Sequence, residues 1–393
     1  IELAGSVRRR TESVKDLDIV IAAVNPEALL DALGELDAIE SAQRTSATAA
    51  RGVTHTGIVV ELRAVRPDQF GNVLQHMTGS KQHNAALRER AVRSGLHISE
   101  YGVLDDATGE TRTCATEAEV YGLVGLAYIE PELRENRDEL AQAAAGSFAR
   151  LIELGDIRGD LHCHTVASDG RETILEMGRA AAARGYEYLA ITDHSATHGF
   201  GNDVSPDELR RQIEKVHEAD AKLPGIRLLA GSEVNILPDG SPDYDDDLLA
   251  ELDWVIASVH TSFGMDGDAM TERIVTATGH PLIDAIGHPT GRMIARREPY
   301  AVDIAALVAA AAGSGTLLEI NSNPNRRDLG EVNARAAVRG GAGILINSDA
   351  HSTGGFDVLR YGIWTARRAG LGPADVLNTL PWDELASRLK RPR

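Results

Sequence analysis

From Gly159 onward the sequence alternates short apolar runs with amphipathic helical stretches, and most of the runs end on a histidine or a carboxylate. The predicted strands cover 158–162, 188–192, 227–234, 254–259, 285–287, 317–321 and 344–347, separated by predicted helices such as 171–184, 206–222, 301–312 and 332–340. Strands that alternate with helices must pair in parallel through right-handed crossovers. About seven such units predict a barrel of the TIM type or a distorted relative, and barrels of this kind carry their sites at the C-terminal strand ends.

Those ends hold His162 and His164, Asp193-His194, Glu233, His260, His288, and Asp349 with His351, while Asp169 lies on the loop just past the first strand. Side chains alternate across a strand, so His162 and His164 face one way and Cys163 the other, into the core. A lone histidine at a strand end is more often a hydrogen-bonded structural residue than a ligand, and His198, His217 and His280 read that way. So many metal-compatible residues converging on one rim do not. Imidazole and carboxylate without thiolate suit a catalytic Zn, Mn or Fe site, since structural zinc generally draws on several cysteines.

The strings Asp160-Leu161-His162-Cys163-His164-Thr165, Ser168-Asp169-Gly170, Ile191-Thr192-Asp193-His194, Gly231-Ser232-Glu233, Ser258-Val259-His260, Gly287-His288-Pro289 and Ser348-Asp349-Ala350-His351 together resemble a polymerase and histidinol phosphatase (PHP) domain. The resemblance implies a metal-dependent phosphoesterase with about three divalent ions. It places His162, His164, Glu233 and Asp349 on one ion, Glu233, His260 and His288 on a second, and Asp169, His194 and His351 on a third. Arg292, and Arg326 or Arg327, are candidates for gripping a substrate phosphate, with Arg292 taken as catalytic.

The first part of the chain reads as a small α/β unit, with β-prone runs at 20–23, 39–41 and 57–65 and helical spacing at 26–36 and 84–93. Stretches 116–126 and 131–154 read as helices. Two carboxylates at i and i+2 of a strand, Asp16 and Asp18, can share divalent ions, and a Gly5-Ser6 turn beside Arg8 and Arg9 can meet a triphosphate. With Thr78-Gly79-Ser80 and Asn84 downstream, this resembles the nucleotidyltransferase palm of family X DNA polymerases. Glu119-Val120-Tyr121 and Tyr128-Ile129-Glu130-Pro131-Glu132-Leu133-Arg134 resemble the end of that family's thumb. The likeness implies Mg or Mn at Asp16 and Asp18, and an incoming deoxynucleoside triphosphate at Ser6, Arg9 and Asn84. The third catalytic carboxylate is an Asp in the family and is Glu61 here; Lys15 stands for a usual Gly, and His76-Met77 replaces a usual aromatic pair. A palm and thumb (1–135), a helical linker (136–157) and a PHP domain (158–393) make up the order expected of a bacterial family X polymerase, an α/β chain throughout.

Composition fits this reading: 43% apolar and 25% charged residues are the balance of a globular chain, and aromatics at 4% leave the cores aliphatic. No apolar run approaches the roughly 20 residues needed to cross a bilayer, and the start resembles no signal peptide, so a cytoplasmic protein without a membrane partner is expected. The two cysteines, Cys114 and Cys163, suggest no disulfide framework. A first residue other than Met, already inside a motif, reads as part of something longer. The formal charge of −19 sits awkwardly with a DNA partner, although the first hundred residues are close to neutral and bound cations would offset the carboxylates of the site. The expected function is a DNA-repair type 3′–5′ exonuclease with an impaired polymerase palm. The alternatives are a small-molecule phosphatase of the histidinol-phosphate type with an inactive palm, and a non-catalytic DNA-binding scaffold.

Overall fold

The structure is a computed structural model that describes residues 1–199 and 202–390. It divides into two compact units, Ile1–Ala149 and Arg150–Arg393.

The first unit is built on a five-stranded sheet of β1 (Glu2–Leu3), β2 (Asp16–Ala22), β3 (Ile39–Ser46), β4 (Ala49–Thr54) and β5 (Val59–Val65), ordered β1-β2-β5-β4-β3, with the single turn α1 (Gly5–Arg8) between β1 and β2. Only β2 and β5 run parallel, in a register that sets Asp18 opposite Glu61. Period-two alternation along β5 sends Val60, Leu62 and Ala64 to one face, where Leu30 of α2 (Pro26–Ala32) and Leu33 cover them. On the other face Val20 and Val65 pack with Val73 and Leu74 of α3 (Phe70–Thr78). The strand expected at 39–41 extends through Ser46 and pairs with β4, a hairpin that the sequence reading missed. Its outer strand is almost wholly exposed, so no apolar alternation marks it.

The rest of this unit joins α4 (Lys81–Val92), a three-stranded sheet of β6 (Leu96–Ser99), β7 (Gly102–Asp105) and β8 (Thr111–Arg112), and the helices α5 (Glu117–Leu123) and α6 (Glu139–Ala145). Ser80 caps α4 by accepting from the His83 backbone N–H, and Thr116 and Glu119 form a reciprocal capping box on α5. The helix expected across 131–154 is broken: 3₁₀ turns occupy Pro131–Leu133 and Leu154–Asp156, with only α6 between them. Asn136 and Gly146 adopt left-handed backbone conformations on either side of α6, which a continuous helix cannot accommodate. A buried ring of hydrogen bonds closes this core, His83 Nδ1 to Glu139 at 2.8 Å and His83 Nε2 to the Tyr121 hydroxyl at 2.9 Å.

The second unit holds seven parallel strands in sequential order, β9 (Gly159–Asp160), β10 (Tyr188–Ile191), β11 (Arg227–Asn235), β12 (Trp254–Ser258), β13 (Ala285–Ile286), β14 (Leu317–Asn321) and β15 (Ile344–Asn347). Helices α7 (Ile174–Ala183), α8 (Pro206–Asp220), α9 (Asp246–Ala250), α10 (Gly267–Gly279), α11 (Ile304–Ser314), α12 (Glu331–Arg339) and α13 (Leu359–Ala369) surround it. This is the expected distorted (β/α)₇ barrel. The first strand is shorter than 158–162 because side chains replace its ladder at the seam with β15. Asn347 Oδ1 accepts from the Leu161 N–H, Asp160 accepts from the Ser348 N–H, and the buried Asn378 amide donates to the carbonyls of both Gly159 and Ile346. Beyond the seam, Cys163 and Ala350 pair in a parallel bridge.

Inward-facing residues divide the barrel into layers. Leu161, Tyr188, Leu229, Trp254, Ile256, Leu317 and Leu345 fill the lower interior, and Trp382 and Leu385 of α14 (Trp382–Ser387) pack against them. Two residues further along β12, β14 and β15, at Ser258, Glu319 and Asn347, and four further along β11, at Glu233, the same faces become polar. That change of chemistry, within strands still wholly buried, marks the site.

Candidate metal centre and palm carboxylates

Glu233, near the end of β11, is the hub of the barrel centre. One of its carboxylate oxygens lies 2.9 Å from His288 Nε2 and 3.3 Å from His260 Nε2; the other lies 2.9 Å from His194 Nδ1, 3.3 Å from His162 Nε2 and 3.6 Å from His164 Nε2. Asp349 sits 3.1 Å from His164 Nε2 and 3.5 Å from His162 Nε2, and Asp169 sits 3.3 Å from His351 Nε2 and 3.6 Å from His194 Nε2. The fold thus brings together all nine ligand candidates from β9, β10, β11, β12, β13 and β15. Asp169 and His351 are 40% and 36% exposed while the other ligands are nearly enclosed, so the site opens to solvent on their side.

Ligand-sized clusters form in three places, each with ligand atoms within 4.8 Å of one another: His164, Asp169, His194 and His351; His162, His164 and Glu233; and His194, Glu233 and His260. The grouping differs from the expected partition: His164 and His194 are each shared between clusters, and Asp349 and His288 lie outside all three, against His164 and Glu233 respectively. The rings of His164 and His194 lie 4.3 Å apart, which lets one ring belong to two neighbourhoods. Buried nitrogens without a hydrogen-bond partner, Nδ1 of His164 and of His288, point to the same conclusion. Unsatisfied buried nitrogens are costly, and divalent cations supply the missing partner. The donor set fits such ions.

The supporting groups include one that the sequence reading overlooked. Glu319 on β14, fully buried, accepts from His162 Nδ1 at 2.8 Å, from the His288 backbone N–H at 2.8 Å and from the Asn347 amide at 3.0 Å. Its grip on Nδ1 directs the His162 Nε2 lone pair at Glu233 and Asp349, the carboxylate–histidine arrangement that orients metal ligands. Its signal was a single acidic residue inside an otherwise apolar strand, Leu317-Leu318-Glu319-Ile320. Asp193 does not join the ligands. It accepts from the Thr165 N–H and hydroxyl, the Ser168 hydroxyl and the Gln212 amide, and so ties down the loop that carries Asp169. His198 is buried and stacked on the candidate ligand His194 at 4.3 Å, whereas His217 is exposed and His280 lies outside all three clusters. Cys163 is buried in the outer core, as the alternation predicts.

Charge governs protonation here. Burial disfavours ionised Glu233 and Asp349, but surrounding imidazoles outweigh it and hold both carboxyls well below the usual range. Burial likewise opposes a charged His351, yet the hydrogen bond that its ring donates to Asp169 and the charge of Asp349 hold the ring up at about 9. Burial, then His351 and His194, push His164 down to about 4. His288 and Asp349 adopt positive φ of 28° and 56°, a region uncommon for residues with a side chain and retained where surrounding structure over-determines it.

The phosphate-gripping candidates diverge. Arg292 donates through Nε to the Arg326 carbonyl at 2.9 Å and through Nη2 to the Arg327 carbonyl, bracing that loop. Buried Arg327 donates to the Thr365 hydroxyl. Arg326 keeps Nη1 buried without a hydrogen-bond partner, close enough to His288 to depress the ring's protonation after burial has done so.

In the first unit, Asp16 and Asp18 lie on one face of β2 with Glu61 opposite Asp18. Burial first, then the charges of Asp16 and Glu61, push Asp18 up to about 6. Gly5 (φ +58°) passes so close that a Cβ would fall 1.9 Å from Asp18 Oδ2, so only glycine fits this turn before Ser6. Arg9 donates to the Thr78 carbonyl at 2.5 Å and to Glu135 at 3.2 Å. Asn84 accepts from Gln75 and donates to the His76 carbonyl, so its amide braces α3. Lys15 is exposed, and His76 lies between Arg88 and Glu100. Arg8 and Arg134 both bond Glu117, joining the start of the chain to the thumb-like segment.

Comparison with known proteins matches residues 73–135 to the DNA polymerase beta thumb and residues 160–323 to the PHP domain. A DNA polymerase/3′-5′ exonuclease PolX of Bacillus subtilis is 40% identical over 99% of this chain and 68% of its own length. A probable phosphatase of Thermoanaerobacter sp. is 34% identical over 56% of this chain and 89% of its own, and one of Syntrophotalea carbinolica is 29% identical over 56% and 90%. With a palm sheet, a thumb, a PHP barrel and a relative 40% identical that matches 99% of this chain and 68% of its own length, the chain belongs to the PolX family.

Proposed function

We propose that this chain hydrolyses phosphodiester bonds of DNA from the 3′ end at the barrel centre, and that its palm adds nucleotides weakly or not at all. The observation that carries the first half is Glu233, whose two oxygens face imidazoles from four other strand ends. Divalent ions bound at such a centre neutralise phosphate oxygens and bring the pKa of water to about 7. Zn, Mn or Fe, about three ions in number, suit the barrel ligands, and Mg or Mn suits Asp16 and Asp18. His162, His164, Asp169, His194, Glu233, His260, His288, Asp349 and His351 act as the ligands. Glu319 fixes the ring of His162, the enclosed walls exclude bulk water, and Arg326, with a free buried nitrogen, is better placed than Arg292 to meet a phosphate oxygen.

DNA as the substrate is supported by the Bacillus relative, which matches both units, whereas the probable phosphatases match little more than half of the chain. The palm's Ser6 and Arg9 meet the triphosphate of an incoming deoxynucleotide, a role that requires Arg9 to leave Thr78 and Glu135; Asn84 contributes by holding α3. Residues 1–135 act as palm and thumb, 136–157 as the link and 158–393 as the nuclease. Among the described residues no helix is long and apolar enough to cross a membrane. The test is release of mononucleotides from single-stranded, recessed and gapped DNA with Mn²⁺, beside release of phosphate from histidinol phosphate. Phosphate release without nucleotide release would replace this reading with the phosphatase one.

A further inference from the structure

β14 supplies none of the nine ligand candidates, yet it sends two polar side chains to the barrel centre, Glu319 and Asn321, both fully buried and two residues apart on one face of the strand. Glu319 accepts from His162 Nδ1 at 2.8 Å. The Asn321 amide donates to Oδ2 of Asp349 at 3.0 Å and to Oε2 of Glu319 at 3.2 Å. Its own Oδ1 accepts from the Asn323 backbone N–H at 3.0 Å, and that bond fixes which end of the amide faces the two carboxylates.

The two oxygens of Asp349 thereby receive different tasks. Oδ1 faces the candidate ligands, 3.1 Å from His164 Nε2, 3.5 Å from His162 Nε2 and 3.7 Å from His351 Nδ1. Oδ2 is turned to Asn321. The Asp349 backbone lies in the left-handed region, with φ of 56°, a conformation that persists where neighbouring contacts hold it. An unrestrained carboxylate could turn about its last side-chain bond and offer an ion either oxygen or both. Here that rotation would break a charge-assisted hydrogen bond inside a closed interior, where such bonds are strong.

We propose that Asn321 is a positioning residue for the metal centre: by holding Oδ2 it presents Asp349 to an ion through Oδ1 alone. Because the same amide bonds Glu319, it also ties the placement of Asp349, which follows β15, to that of His162, which follows β9 on the other side of the barrel seam. The proposal rests on the barrel's being a metal centre and not on DNA as its substrate.

The experiment is titration of the metal-stripped full chain with cobalt(II) alone, followed by visible absorption and by metal analysis. The proteins compared are the unaltered chain, Asn321→Leu, Asp349→Ala and the double variant. Leu has the branched shape of Asn and removes both polar ends. The expected result is that Asn321→Leu weakens one bound ion by about 10–100-fold, the usual loss when a partner of a metal ligand is removed. The visible bands of that ion should change as the freed Oδ2 joins it, and the other ions should keep their affinity. Added to Asp349→Ala, the same substitution should loosen nothing further. Full affinity with unchanged bands in Asn321→Leu would overturn the proposal. So would a loosening of the remaining ions in the double variant, the result expected of general damage to the fold. Circular dichroism melting of the metal-free proteins checks folding, and Asn321→Ser, smaller and with a hydroxyl too short to reach Asp349, replaces the Leu variant if that one does not fold. An unaltered chain that binds no cobalt would remove the metal reading and the proposal with it.

Discussion

The acidic residues of the palm and those of the barrel differ in their neighbours, and the difference sets how ready each site is. Asp18 lies against two other carboxylates, Asp16 and Glu61, and holds a proton up to about pH 6. Glu233 lies among imidazoles and stays ionised well below the usual carboxyl range. Like charges in one place need an incoming cation to complete the site, whereas alternating carboxylate and imidazole hold their geometry beforehand. On the proposed function, the barrel is pre-organised for divalent ions, whereas the palm carboxylates need a cation to complete their arrangement.

The largest expected effect separates the two regions by metal. Stripping the protein with a chelator should abolish nucleotide release and Mn²⁺ or Zn²⁺ should restore it; full nuclease activity in exhaustively demetallated protein would end the comparison. Glu233→Ala should approach the same loss, because its carboxylate serves more than one cluster, and metal analysis should show fewer ions per chain.

Next comes Glu61→Asp in the palm. A misplacement of about 1 Å costs on the order of 100-fold in rate, so shortening this side chain should raise single-turnover primer extension towards that extent, with exonuclease rate unchanged. Rapid extension by the unaltered chain at low salt would mean that the palm backbone already accommodates the longer side chain. Glu319→Gln tests the barrel's support instead. Loss of such a partner costs about 10–100-fold in metal affinity or activity, and circular dichroism should show the fold retained.

Titration should separate the regions again. Asp18 must lose its proton to bind a cation, so palm affinity for Mn²⁺ should fall by about tenfold per unit as pH drops below about 6. His351, held up at about 9, must also give up a proton, so metal uptake by the barrel at pH 7 should acidify a weakly buffered solution and strengthen as pH rises towards 9. Uptake without proton release would show that His351 is not a ligand. The smallest effect belongs to His280→Ala, outside every cluster, which should leave exonuclease rate and metal content essentially unchanged.

Much of the barrel was legible because its information is local. Strand alternation and helical spacing repeat within a few residues, and the candidates follow successive strands, so His162, Glu233, His260 and Asp349 could be read together as one rim. The exposed hairpin strand β3, with no buried side to pattern it, was read too short, and the broken segment around α6 was read as continuous helix. Glu319 went unassigned because its role exists only once β14 stands beside β13 and the seam. Arg292 shows the reverse: its place after His288 suggested a phosphate contact, and the fold turned its guanidinium onto the carbonyls of Arg326 and Arg327.

The sequence by itself determined the alternating architecture, the nine ligand candidates at the strand ends, and the carboxylate pair Asp16 and Asp18 on one strand face, because periodicity and residue type act over short distances along the chain. Only the tertiary structure decided how those ligands are shared between clusters, which nitrogen of His162 faces Glu233, and how the barrel closes. Closure joins Leu161 to Asn347 across 186 residues and passes through the amide of Asn378, a contact between segments whose own patterns carry no trace of each other.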